Sequence, residues 1–368
     1  MPGHVPTPDP VATIVEPGNP IERWAMARMK DPRDLIFVRT ATAITLLVLP
    51  LAALWFASPP WVVGLAAVPY IGSVFLFFGG RFGLMLHANG HRPIYPREHR
   101  WLRAYVPWVL GPFFGHTPTS FDAHHMYMHH AEGNLPRDLS TTLPYQRDNF
   151  FHFLHYWARF FFFGHIHLSR YLWKAGRFKV LRRFWMGELA WLALALAALW
   201  VNWAAALVVF IVPMLMMRWL MMAGNWGQHA FVDVRDPGNP YLNSTNLTNT
   251  PYNRKAYNDG YHIVHHLKPA LHWSEMPAHY TDNREEYARQ DALVFNGIRD
   301  NQQIWFLLMS GRYRYLAERL VDFRGRSVDE RIALLKHRAR STLGRRARIY
   351  EASPVRADAD AHQEKRQA

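Results

Sequence analysis

Four apolar stretches constrain this chain more than anything else in it. They run over about 41–57, 61–86, 184–201 and 203–223. A helix needs roughly 20 mostly apolar residues to cross the hydrocarbon core of a bilayer, within a range of about 17–25. Inside lipid every backbone N–H and C=O must be satisfied by the element itself, which leaves helices or a closed barrel. Continuous apolar runs of this length read as helices. Ser58-Pro59-Pro60 turns the chain between the first pair, and only Asn202 and its neighbours separate the second pair. The expected architecture is an all-α integral membrane protein whose four transmembrane helices form two hairpins.

Charge sets the orientation. The net charge is +14, and neither short connection carries a Lys or Arg. The basic residues lie in the leader, in 92–183 and in the C-terminal half. The positive-inside rule then puts both termini and both large polar regions in the cytosol, at a bacterial plasma membrane or an endoplasmic reticulum. A basic chain also suits nucleic acid, but charges distributed by a membrane rule argue against that partner. The first twenty residues are Pro-rich and lack the apolar core of a signal peptide. The absence of cysteine excludes disulfides, thiolate zinc sites and cysteine-ligated iron–sulfur clusters.

Four regions are expected: a disordered leader and surface helix over 1–34, a membrane domain over 35–285, a basic helical cytosolic extension over 286–350, and a disordered tail over 351–368. Within the membrane domain, 101–114 is too short to span and reads as interfacial or re-entrant. The aromatic, amphipathic stretch 149–163 also reads as interfacial. Met214, Met216, Met217, Met221 and Met222 of the fourth span suit either an acyl-chain channel or a lipid-facing surface. Arg218, in the same span, either faces a cavity or snorkels to the near surface.

Three histidine clusters lie just outside the spans. They are His87-Ala-Asn-Gly-His91, His125-Met-Tyr-Met-His129-His130 and His262-Ile-Val-His265-His266; Asn225 and His229 follow the fourth span. Residues three or four apart share a helix face, so each segment can aim two or three groups at one point. His124 competes with His125, and the i, i+4 relation to His129 favours His125. Neutral imidazole is the commonest protein metal ligand, and this set exceeds what one ion needs. The expectation is a cytosolic helical cap holding a di-metal site. Asp122 and Asp259, each three residues before a cluster histidine, are candidates to orient the ligands or to cap helices. Glu132, Asp138 and Glu275 are further candidates. The remaining histidines read as structural.

With these clusters in place, the chain resembles the membrane fatty-acid desaturase and hydroxylase superfamily over about residues 35–285. Box one matches as His87 and His91, box two as His125, His129 and His130, and box three as His262, His265 and His266. Asn225 and His229 resemble the extra ligand element of acyl-CoA desaturases. Asn-Asp-Gly-Tyr before His262 resembles the lead-in to box three. The resemblance implies two non-haem iron ions, dioxygen as co-substrate, and an external donor such as ferredoxin or a b-type cytochrome with its reductase. It implies fatty acid desaturation, with a lipid hydroxylase or ketolase as the alternative on the same scaffold. A membrane haem protein would need facing histidines inside the spans, and a metal transporter would need polar groups near the midplane. The sequence places neither there.

Overall fold

The computed structural model describes residues 16–341. Most of the expected leader (1–15), residues 342–350 of the extension, the 351–368 tail and His362 lie outside the described residues. The rest is mostly helical.

Four helices are long and apolar enough to cross a membrane: Pro32–Phe56, Pro60–His91, Phe178–Val201 and Trp203–Gln228. Each extends beyond the apolar run that announced it. A helix needs only its hydrogen-bond ladder to continue, so it proceeds into polar sequence until a cap or a turn stops it. The extra length matters at the ends of the second and fourth spans, which carry His87, His91 and Asn225 beyond the last lipid-length turn. Leu46, Leu54, Leu65, Leu76, Leu192 and Leu196 are exposed along these helices, and Trp61, Trp200 and Trp203 are exposed beside the short connections. That distribution fits a lipid-facing surface with an interfacial aromatic belt.

The two short connections are clasped together. The Asn202 amide nitrogen donates to the Ser58 carbonyl oxygen at 2.9 Å, while its Oδ1 accepts from Ala205 N–H and caps the fourth span. At the opposite end the helix Phe150–Lys174 covers the bundle. It is longer than the expected 149–163 stretch and starts at Asn149, whose side chain accepts from Phe151 and His152 N–H. Phe153, Tyr156, Phe160, Gly164, Leu168 and Leu172 form its buried stripe, at helical spacing. The third span packs so closely on residues 117–120 that a Cβ on Gly187 would lie 1.7 Å from the Pro118 carbonyl oxygen.

The expected surface helix is short, Pro20–Met26, capped by Asn19. The region from 286 departs further from expectation. Strand Leu293–Asn296 pairs in parallel with Thr245–Thr248, the only sheet among the described residues. Helices Asn301–Met309, Tyr313–Arg319 and Val328–Arg338 then pack around Ala230, Phe231 and Leu247. Buried Arg147 fastens this arrangement. Its guanidinium donates to the carbonyl oxygens of Thr142, Ala230, Arg338 and Arg340. The C-terminal segment is therefore built into the histidine-bearing region rather than appended to it, and the all-α expectation gives way to a mostly helical chain with one small sheet.

Candidate metal centre

Nine histidines converge in two groups. His87, His91, His125, His130 and His265 form one; His129, His229, His262 and His266 form the other. In each group the candidate ligand atoms all lie within 4.8 Å of one another. In the first, Nε2 of His87 is 2.9 Å from that of His265, His265 is 2.8 Å from His130, and His125 is 3.0 Å from both His130 and His91. In the second, His262 Nε2 stands 3.2 Å from His229 and 3.0 Å from His266.

The local folding of each box explains the division. His87 and His91 share a face in the last turn of the second span and stay together. In the helix His262–Leu267, His262 and His266 share a face while His265 turns to the other group. Box two behaves differently. Residues His125–His129 form a π-turn, closed by the His130 N–H to the His125 carbonyl oxygen. The wider turn pairs residues five apart, so His125 meets His130. The expectation that His125 and His129 share a target is overturned, since they belong to different groups. His124 lies in neither. Its Nε2 is 3.8 Å from Asp138 and its ring meets Phe160 edge-on.

Partners on the far side of the rings fix their orientation. His129 Nδ1 is 2.7 Å from Asp138 Oδ2, His229 Nδ1 is 2.8 Å from the Asn243 carbonyl oxygen, and His87 Nδ1 is 3.1 Å from Asp259 Oδ1. An imidazole whose Nδ1–H points at an acceptor presents the Nε2 lone pair inward. Burial, followed by the neighbouring imidazoles, holds His125, His130, His262, His265 and His266 well below the ordinary histidine range. His229 is pushed down to about 4 for the same reasons. The rings are therefore neutral at physiological pH. Two sets of converging imidazole nitrogen donors suit borderline cations such as iron or zinc.

The oxygen-bearing candidates divide. Asp259 does stand beside a box histidine, His87 and not the nearby His262, at ion-pair distance without completing a hydrogen bond. Its other oxygen accepts from the Tyr252 hydroxyl and Gln228. Asp122 packs beside Gly90, and among the described residues no histidine hydrogen-bonds to it. Burial pushes its carboxyl up to about 6. Neither aspartate caps a helix, because Thr119 and Tyr261 occupy those positions. Asn225 is fixed through its amide nitrogen, which donates to the Ser140 carbonyl oxygen at 3.0 Å and to the Tyr156 hydroxyl at 2.8 Å. The strongest orienting group, Asp138, ranked only among the further candidates in the sequence. It sits on a loop nine residues past His129, where no periodicity marks it. Asn243 gave no signal, since a backbone carbonyl has none. Burial alone would raise the Asp138 carboxyl, but His129 and His124 beside it hold it well below the usual range.

The family model described as fatty acid desaturase matches residues 59–297, which hold all three clusters, Asn225 and His229. No curated protein and no solved structure matches the chain.

Proposed function

The chain belongs to the fatty acid desaturase family, and we propose that it is an oxygen-dependent, non-haem di-iron oxidase of a membrane lipid that introduces a double bond into a fatty-acyl chain. The observation that carries this reading is the division of nine histidines into two adjoining groups. His87, His91, His125, His130 and His265 would hold one iron. His129, His229, His262 and His266 would hold the other, with Asn225 beside them. When bound, the two ions supply the dioxygen activation needed to remove hydrogen from an unactivated C–H bond.

The protein's own part is positioning and exclusion. Asp138 and Asn243 hold the rings of His129 and His229 in the tautomer that presents Nε2 inward, and Asp259 stands beside His87. A cleft lined by Phe37, Leu84, Ala88, Tyr257 and Trp273 reaches His87, His91 and His265. Its apolar walls suit an acyl chain and keep water from the reacting carbon. The ends of the second and fourth spans bring the histidines to one face of the bundle, which we place in the cytosol on the charge argument. Electrons must come from outside a chain without cysteine. The arginine-bearing helices Tyr313–Arg319 and Val328–Arg338 offer a docking surface for an acidic ferredoxin or b-type cytochrome.

The test is metal and product analysis together. Detergent-purified protein is expected to hold two irons per chain, lost in a His265→Ala, His266→Ala variant. Lipids of an expressing host are expected to lose two hydrogens. A gain of oxygen would assign a hydroxylase, and one zinc or a haem in place of iron would overturn the reading.

A further inference from the structure

A second cavity, lined by none of the nine grouped histidines, lies between residues 116–124, the helix Phe150–Lys174 and the third and fourth spans. It is lined by His116, His124, His165, Glu188 and Arg218 among apolar neighbours that include Phe121 and Phe160. Arg218 does not snorkel. It stands ten residues before Gln228, about 15 Å along the helix, and its guanidinium turns inward over the Phe160 ring at 6.0 Å. Among the described residues none accepts a hydrogen bond from it, and its charge is met only at longer range by Glu188 in the same cavity.

The other polar groups are only partly satisfied. Glu188 spans the cavity wall, with Oε2 2.7 Å from His165 Nε2 and Oε1 accepting from the Thr117 hydroxyl. His116 is 5% exposed, and its Nε2 has no partner; His124 Nε2 makes no hydrogen bond but faces Asp138. An idle imidazole nitrogen on His116 is costly to bury, and an arginine with five donors is costly to keep within a membrane-spanning helix. An apolar set of the same shape would be more stable, which is the usual mark of a site.

We propose that this chamber binds an uncharged oxygen-bearing group of the substrate, a hydroxyl or a carbonyl. Arg218 donates to that oxygen, and His116 accepts from a hydroxyl or donates to a carbonyl. Charge selects against a carboxylate. Glu188 already balances Arg218, so a second anion would stand uncompensated in a medium of low dielectric. The chamber adjoins the first histidine group, because the Phe121 ring that lines it stacks on His125 at 4.9 Å between centroids. An oxygenated lipid anchored here is held beside the oxidising centre. This rests on the lipid-oxidase reading, but its test does not need activity.

Thermal melting of the detergent-purified chain is followed as 1-dodecanol, dodecane or dodecanoate is titrated in. The wild type is expected to be stabilised by dodecanol at concentrations about tenfold or more below those of the other two. Arg218→Met is expected to melt no lower than wild type without ligand and to lose the preference. His116→Phe, which removes the idle nitrogen and keeps the ring, is expected to weaken it. Equal responses to the three probes, a preference for dodecanoate, or a preference retained in both variants would overturn the proposal. So would an Arg218→Met chain that fails to fold, because the guanidinium would then be structural. Iron content, measured on the same samples, reports separately on the di-iron reading.

Discussion

The buried carboxylate of Asp138 stands 2.7 Å from Nδ1 of His129, while its second oxygen accepts from both the hydroxyl and the backbone N–H of Ser140 at 2.8 Å. One loop residue thus sets the tautomer of the histidine that begins the second group. Asp138→Asn keeps the volume and removes the charge. Loss of such an orienting partner typically weakens metal binding about 10–100-fold. The expected result is iron falling from two toward one per chain under chelator challenge, with the first group still loaded. Equal loss from both groups would count against it.

Asp259 gives the mirror experiment. It faces His87 and is held by the Tyr252 hydroxyl at 2.7 Å. Asp259→Asn is expected to loosen metal in the first group by a similar factor and to leave the second intact. Iron spectroscopy that resolves the two sites, compared between the two variants, checks the assignment.

The π-turn separates neighbours. His125→Ala is expected to lower metal content, whereas His124→Ala, one residue away, is expected to retain it. His129→Ala and His130→Ala should each empty a different group. Metal analysis of the four single variants decides the matter, and the same loss in His124→Ala and His125→Ala would contradict the register of the turn.

Acid should act on the metal-free protein in a defined direction. His125, His130, His262, His265 and His266 have folded-state pKa values below the unfolded value of about 6.5, with His229 at about 4. The unfolded chain therefore takes up these protons first. Stability is full above about pH 6.5 and declines as the pH falls below it. Melting temperatures of the metal-free protein between pH 7.5 and 5 are expected to decrease, and bound metal should oppose the decrease because protons and metal compete for the same nitrogens.

Gly187 tests the packing that carries box two. An added methyl would meet the Pro118 carbonyl oxygen at 1.7 Å. Overpacking of this kind costs about 1–3 kcal/mol or more. Gly187→Ala is expected to lower the melting temperature and, by displacing 117–124, to weaken iron retention as well. An unchanged melting temperature would mean that the contact is loose.

The spans were legible because apolar length is a one-dimensional property, and the two tight connections could be read from Ser58-Pro59-Pro60 and Asn202. The nine histidines could be read from density and spacing. Their partition could not be read, because i, i+4 counting assumes an ordinary α-helix and a π-turn has no simple sequence signature. Asp138 was one of several candidates that the sequence could not rank, and Asn243 and Arg147 were hidden, for another reason. They act across loops and over long separations, where only the folded chain brings acceptor to donor. The strand at 293–296 was concealed in a segment whose arginines suggested an exposed helix, although its residues are Leu, Val, Phe and Asn.

Two peptide bonds run from one histidine group to the other, between His129 and His130 and between His265 and His266. Successive Cα atoms are fixed 3.8 Å apart, so the spacing of the two centres is written into covalent geometry at two places. A backbone shift at either bond therefore reaches both centres, a route between them that does not pass through a side-chain contact.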